Sequence, residues 1–321
     1  MTTDPWLAPR AADAPAALAL GCMNFGQRTP AAEARRIVDR ALDAGIGWLD
    51  TANAYGDGVS ERIVGEALRG RRAAARVATK VGLMRIGGRP EGLGPQRVLA
   101  ACRESLDRLG VDALDLYTLH APDPRVPPDE TLSAVAELLA SGLIRQWGVS
   151  NHASWQILEL RTLAAARGLP PPAAAQQLYN ALVRQLELEY FAFARRYPIH
   201  TTVYNPLAGG LLTGLHTFDA PPPAGGRFAR NKLYQGRYWR RASFEAVEAL
   251  RGVANDAGTT LVGLAYGFVR GAPGVDSVLV GPATVDHLDQ ALAAGPLSDE
   301  ARRRVVAIGV ERDGTDASYA R

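Results

Sequence analysis

The chain has 321 residues, 47% of them hydrophobic and 21% charged, with 36 basic against 33 acidic residues and a formal net charge of +3. That composition suits one globular domain with a sizeable core. So slight a basic excess, with no basic run interleaved with aromatics, argues against a nucleic-acid partner. No stretch nears the apolar length of a membrane span, and residues 1–20 lack the basic start and long apolar run of a secretory signal. Cys22 and Cys102 are too few for a disulfide framework, so a reducing, cytoplasmic compartment is expected.

Short apolar runs alternate with helical patterns along the chain. Strands are expected at 18–23, 47–50, 77–81, 114–119, 144–150, 174–179, 199–204 and 277–280. Most are continuously apolar, as strands covered on both faces should be. Thr29 is expected to cap the first helix, with Pro30 at its first position and Ile37, Val38, Ala41 and Leu42 as its stripe. Further helices are expected at 59–68, from Val98 to Leu109, from Pro128 to Gly142, after a Ser154 cap, and at 186–196, 244–257, 261–269 and 285–294. Residues 213–241, rich in Pro, Gly and Arg and without periodicity, read as a long binding loop or lid.

Strand-then-helix units repeated eight times predict an α/β fold, a (β/α)8 TIM barrel formed as a single domain over 1–321. A doubly wound sheet is disfavoured because no G-x-G-x-x-G follows the first strand. In a barrel the active site lies at the C-terminal strand ends. There the sequence places Asp50 with Tyr55 just beyond, Lys80, His120, Ser150 with Asn151, Gln177, Tyr204 and Gly281. Each has a plain alternative alone: Asp50 as a helix cap, Lys80 as a solvated charge, His120 as a satisfied buried histidine. Together they suit acid chemistry at oxygen. A phenol with an ordinary pKa of about 10 is a weak acid. A neighbouring ammonium lowers that value, a carboxylate orients the ammonium, and a histidine donates to a carbonyl oxygen. No nucleophile is required, and no metal cluster is evident.

The segments GWLDTANAYGDGVSERIVGEAL, ATK at residues 78–80 and LYTLHAPD at 116–123 resemble the aldo-keto reductase superfamily over nearly the whole chain. VSNHASWQILEL, QQLYNALVRQLELEYF, VYNPLAGGLLTG and GRFARNKLYQGRYW are similar to its aflatoxin-aldehyde reductase branch, which reduces aldehydes, including dialdehydes and succinic semialdehyde. The resemblance implies a catalytic tetrad of Asp50, Tyr55, Lys80 and His120, and NADPH as cofactor, with NADH possible. It implies that Ser150, Asn151 and Gln177 hold the carboxamide and that Tyr204 stacks on the nicotinamide ring. Gly21 and Met23 flank the cofactor. Asn205, Pro206, Leu207, Gly209, Leu211 and Gly214 follow the pyrophosphate, with Arg227 and Lys232 in the covering loop. Val280, Gly281, Ala283, Thr284, His287 and Gln290 wrap the adenosine end. Pro282 and Ala283 stand where many members carry Lys, Arg or Ser, which implies only a modest NADPH preference. The substrate is expected to be a small aldehyde or ketone that meets His120, Tyr234 and the terminal Arg321, with Tyr319 anchoring the tail. A homodimer is implied by the branch. Two other readings stay open: an NADPH-binding regulatory subunit resembling the potassium-channel β subunits, and a dehydrogenase running toward alcohol oxidation.

Overall fold

The structure is a computed structural model that describes residues 5–8, 10–11, 14–224, 226–229 and 231–313. Its parallel strands are β1 (Ala17–Gly21), β2 (Trp48–Asp50), β3 (Arg76–Val81), β4 (Leu116–Leu119), β5 (Trp147–Ser150), β6 (Ala174–Leu178), β7 (His200–Tyr204) and β8 (Ser277–Val280). Each pairs with its sequence neighbour and β8 returns to β1, closing the barrel. The expected (β/α)8 fold is therefore the observed one.

Alternation along the strands sorts side chains into two cores. Ala19, Trp48, Ala78, Leu116, Ala174 and Leu279 form the inner cluster, which Leu7 of a short N-terminal 3-10 helix plugs from below. Leu20, Leu49, Val77, Val149, Ala175 and Val278 point outward into the larger cluster shared with the helices. Two residues further on from the inner apolar layer, the same inward parity brings up Asp50, Lys80 and Gln176. The site thus sits directly on the packed layer.

The helices are α1 (Ala31–Asp43), α2 (Val59–Ala67), α3 (Pro95–Leu109), α4 (Pro128–Ala140), α5 (Ser154–Ala166), α6 (Tyr190–Arg196), α7 (Lys232–Tyr238), α8 (Arg241–Asp256), α9 (Leu261–Arg270), α10 (Val285–Leu292) and α11 (Asp299–Asp313). Thr29 does not cap α1, because Pro30 holds the cap position and the Thr29 hydroxyl donates to Ala283 O at 3.1 Å. Ser154 is the first residue of α5 rather than its cap; its hydroxyl donates to Glu189 Oε1 at 2.7 Å, while Gln156 Oε1 accepts from Ala153 N. The long segment read as a binding loop or lid contains α7. There Asn231 accepts from Tyr234 N at 3.1 Å, a local cap that outweighs the absence of an extended apolar stripe. Helix α11 has no counterpart in the sequence reading; its largely polar composition hides the buried Ala301 and Val305.

Candidate active site

Asp50 ends β2 and Lys80 lies one residue before the end of β3, and neither exposes more than 2% of its surface. The Lys80 ammonium donates to Asp50 Oδ1, to Thr51 O at 2.8 Å and to the Tyr55 hydroxyl at 3.5 Å. Its three protons are thereby assigned. The Tyr55 ring stands 5.8 Å, edge-on, from that of His120, which follows β4. His120 is buried and its Nδ1 has no partner among the described residues.

The electrostatics follow from burial. Loss of water pushes the Tyr55 phenol up from its ordinary value; Lys80 pulls it down and Asp50 pushes it further up. The expected lowering by Lys80 is present but does not win. Burial works against the Lys80 charge, but Asp50 and Tyr55 outweigh it and hold the ammonium above its usual range. Burial, reinforced by Lys80, holds His120 well below the ordinary imidazole value, so it is neutral near pH 7. A protonated phenol, a charged lysine and a neutral imidazole therefore converge on one point.

Around this point the other expected residues form a rim. Ser150 ends β5, and Asn151 follows with a left-handed φ of 60°. The Asn151 amide donates to His120 O at 2.8 Å and accepts from the Tyr204 hydroxyl at 2.7 Å. Gln177 turns away from the barrel and donates to His152 O at 2.7 Å. Its neighbour Gln176, not singled out in the sequence, faces inward and donates to Asp50 Oδ2 at 2.9 Å. Counting by two from Ala174 along β6 is the signal that separates them.

Beyond β7, residues 205–214 form a tight turn in which Asn205, Ala208, Gly209, Gly210 and Gly214 all have positive φ. Asn205 and Ala208 carry side chains in that region, a strain found mostly at ligand sites. Asn205 Oδ1 accepts from Gly209 N at 2.5 Å, and its amide donates to Tyr238 on α7 at 2.7 Å. A Cβ added to Gly210 meets only His216, at 3.8 Å, so the backbone there is open to close approach. Pro206 and Leu207 lie in this turn, while the side chain of Leu211 is buried in the outer core.

Arg227 reaches across from the covering loop to Asn24 Oδ1 at 2.7 Å and Met23 Sδ at 3.3 Å, beyond the end of β1 at Gly21. Its guanidinium lies 5.4 Å from the Tyr234 ring. Tyr234 is buried on α7, and Arg237 lies 5.9 Å from the same ring. Lys232 is exposed at the start of α7. Val280 points into the outer core, Gly281 and Ala283 line the exit from β8, and Thr284 caps α10, where His287 and Gln290 are exposed. Arg321 and Tyr319 lie outside the described residues. The orphaned Nδ1 of His120 and the strained turn with its open backbone at Gly210 are features that a bound nicotinamide dinucleotide would fit.

Residues 17–309 match the model of the aldo/keto reductase family. The chain belongs to that family. It is 35% identical over 299 residues to aflatoxin B1 aldehyde reductase member 2 of Homo sapiens, an overlap of 87% of this chain and 82% of that protein. It is also 30% identical over 278 residues to a probable voltage-gated potassium channel subunit beta of Oryza sativa, covering 85% and 84%. Among solved structures, the holo form of aldo-keto reductase AKR11C1 from Bacillus halodurans matches with a TM-score of 0.74 and 30% identity, covering 95% of this chain and 94% of that one. Membership makes this chain an oxidoreductase of a family that uses nicotinamide cofactors. Among the described residues no helix is long and apolar enough to cross a membrane, and no group of three metal-binding side chains occurs.

Proposed function

We propose that this chain is an NADPH-dependent aldehyde and ketone reductase with Tyr55 as its proton donor. The observation that carries the reading is the buried chain from Asp50 through Lys80 to the Tyr55 hydroxyl, with a neutral His120 beside it. The dinucleotide, when bound, supplies the hydride. Tyr55 gives its hydroxyl proton to the carbonyl oxygen as that oxygen gains negative charge, which yields the alcohol. The phenolate left behind faces the Lys80 ammonium and is stabilised by it. His120 orients the carbonyl through one ring N–H. Ser150, Asn151 and Gln176 stand where a carboxamide would be held, and Tyr204 provides a ring face for the nicotinamide. Gln177, with its amide on His152 O, acts on that rim only through its neighbours.

The two free, buried cysteines are in keeping with a cytoplasmic location. The decisive experiment follows NADPH absorbance with short and aromatic aldehydes, with and without a carboxylate. Oxidation of NADPH with any of them supports the reading. The resemblance to a potassium-channel subunit favours one rival, a regulatory dinucleotide-binding protein. Tight NADPH binding with no turnover across the panel would select that rival.

A further inference from the structure

Asn24, buried in the turn after β1, ties two loops together. Its amide donates to Gly281 O at 3.0 Å and Pro282 O at 3.2 Å, and its Oδ1 accepts from Arg227. Its backbone oxygen accepts from Arg28 N and Thr29 N, each at 3.0 Å, and Thr29 is fastened in turn to Ala283 O. The Arg28 backbone is thus held beside the exit from β8, on the same turn that Arg227 grips, and its side chain is exposed there. Partial burial, then the charge of Arg227, push its guanidinium down, so two cations crowd one another. The partners of Arg227 are all neutral: an amide oxygen, a thioether and a phenol. Among the described residues neither arginine is in an ion pair with a carboxylate.

The end of α10, by contrast, is already used. Val285 N donates to Glu33 Oε1 at 2.9 Å, and His287 N donates to the Thr284 hydroxyl at 3.4 Å. Pro282 has no N–H, Ala283 has no side-chain donor, and the Glu33 carboxylate would repel an anion arriving there. Two guanidinium forks without a counter-anion offer what a phosphate monoester needs: charge and paired donors.

We propose that Arg28, together with Arg227, reads the 2′-phosphate that distinguishes NADPH from NADH, and that the α10 end does not. This rests on the reading of the chain as a dinucleotide-dependent reductase. It makes Arg28 a specificity residue carried by the β1 turn rather than by the β8 loop.

Calorimetric titration of the full chain with adenosine 2′,5′-bisphosphate and with AMP isolates that one phosphate. The wild type should favour the bisphosphate, and Arg28→Ala should lose about tenfold or more of that preference, the scale of one charge-assisted hydrogen bond. Arg28→Lys, a point charge without the fork, should lose less. NADPH and NADH titrated by tryptophan fluorescence should show the same selective change. If the wild type binds neither dinucleotide, the reductase reading fails and takes this inference with it. If it binds them and Arg28→Ala keeps the full preference for the phosphate, only the assignment of Arg28 is overturned.

Discussion

Gln176 donates its side-chain amide to Asp50 Oδ2, the carboxylate oxygen that Lys80 leaves free, at 2.9 Å. Asp50 is therefore held at both oxygens, one by the charge it orients and one from the opposite wall of the barrel. A carboxylate so fixed keeps Lys80 aimed at Tyr55, and the first two predictions depend on that aim.

Tyr55→Phe removes the proton donor and leaves the rim intact. Turnover should fall by at least about 10²-fold, the low end for general acid catalysis. NADPH affinity, read by fluorescence, should barely change. An active Tyr55→Phe enzyme would remove the phenol from the mechanism.

Lys80→Met should slow the reaction and alter its pH profile, because the charge opposing the burial of a phenolate is gone. Gln176→Leu should act more gently and through orientation, lowering kcat with a displaced pH profile while the fold persists. An unchanged profile in Gln176→Leu would show that the amide does not position Asp50.

Arg108 donates to the fully buried Glu61 at 2.6 Å, and Glu61 also accepts from Thr79 on β3 at 2.5 Å. This pair ties α2, α3 and the barrel together. Arg108→Leu strands a buried carboxylate and should cost about 3–5 kcal/mol of stability in urea unfolding. Glu61→Gln keeps a hydrogen-bonding group and should cost less. Equal effects would mean that the charge is not what the site is built around.

Burial holds the His152 imidazole at about 4, against a weaker upward pull from its bond to Ser150 O. The unfolded chain takes up that proton near pH 6.5, so stability is complete above this pH and is lost as pH falls toward 4. At pH 5 the loss should be about 2 kcal/mol for such a histidine. Chemical denaturation at pH 7 and pH 5 measures it, and His152→Asn should flatten the difference.

Several features were legible in the sequence because they are local or periodic. Continuous apolar runs spaced by helical stripes gave eight strands and a barrel. Polar residues at their ends gave Asp50, Tyr55, Lys80 and His120 at one point, which the structure brings together. The shortfalls have physical reasons. Thr29 and Ser154 look like caps, but each hydroxyl finds a distant partner, Ala283 O and Glu189, and a tertiary bond overrides the local preference. Helix α7 forms where the chain shows no stripe, because Tyr234 packs on the β7 turn and against Phe228 of the preceding loop, and Phe228 packs in turn against Trp239 just after the helix at 5.1 Å. Gln176 and Gln177 are chemically identical, and strand parity alone sends one to Asp50 and the other to His152. The sequence by itself determined the eight strands, most of the helices between them and which chemical groups meet at the barrel mouth, since apolar period and strand-end position are written in it. Only the tertiary structure decided their protonation, because the burial that keeps His120 neutral and Tyr55 protonated is a property of what surrounds them.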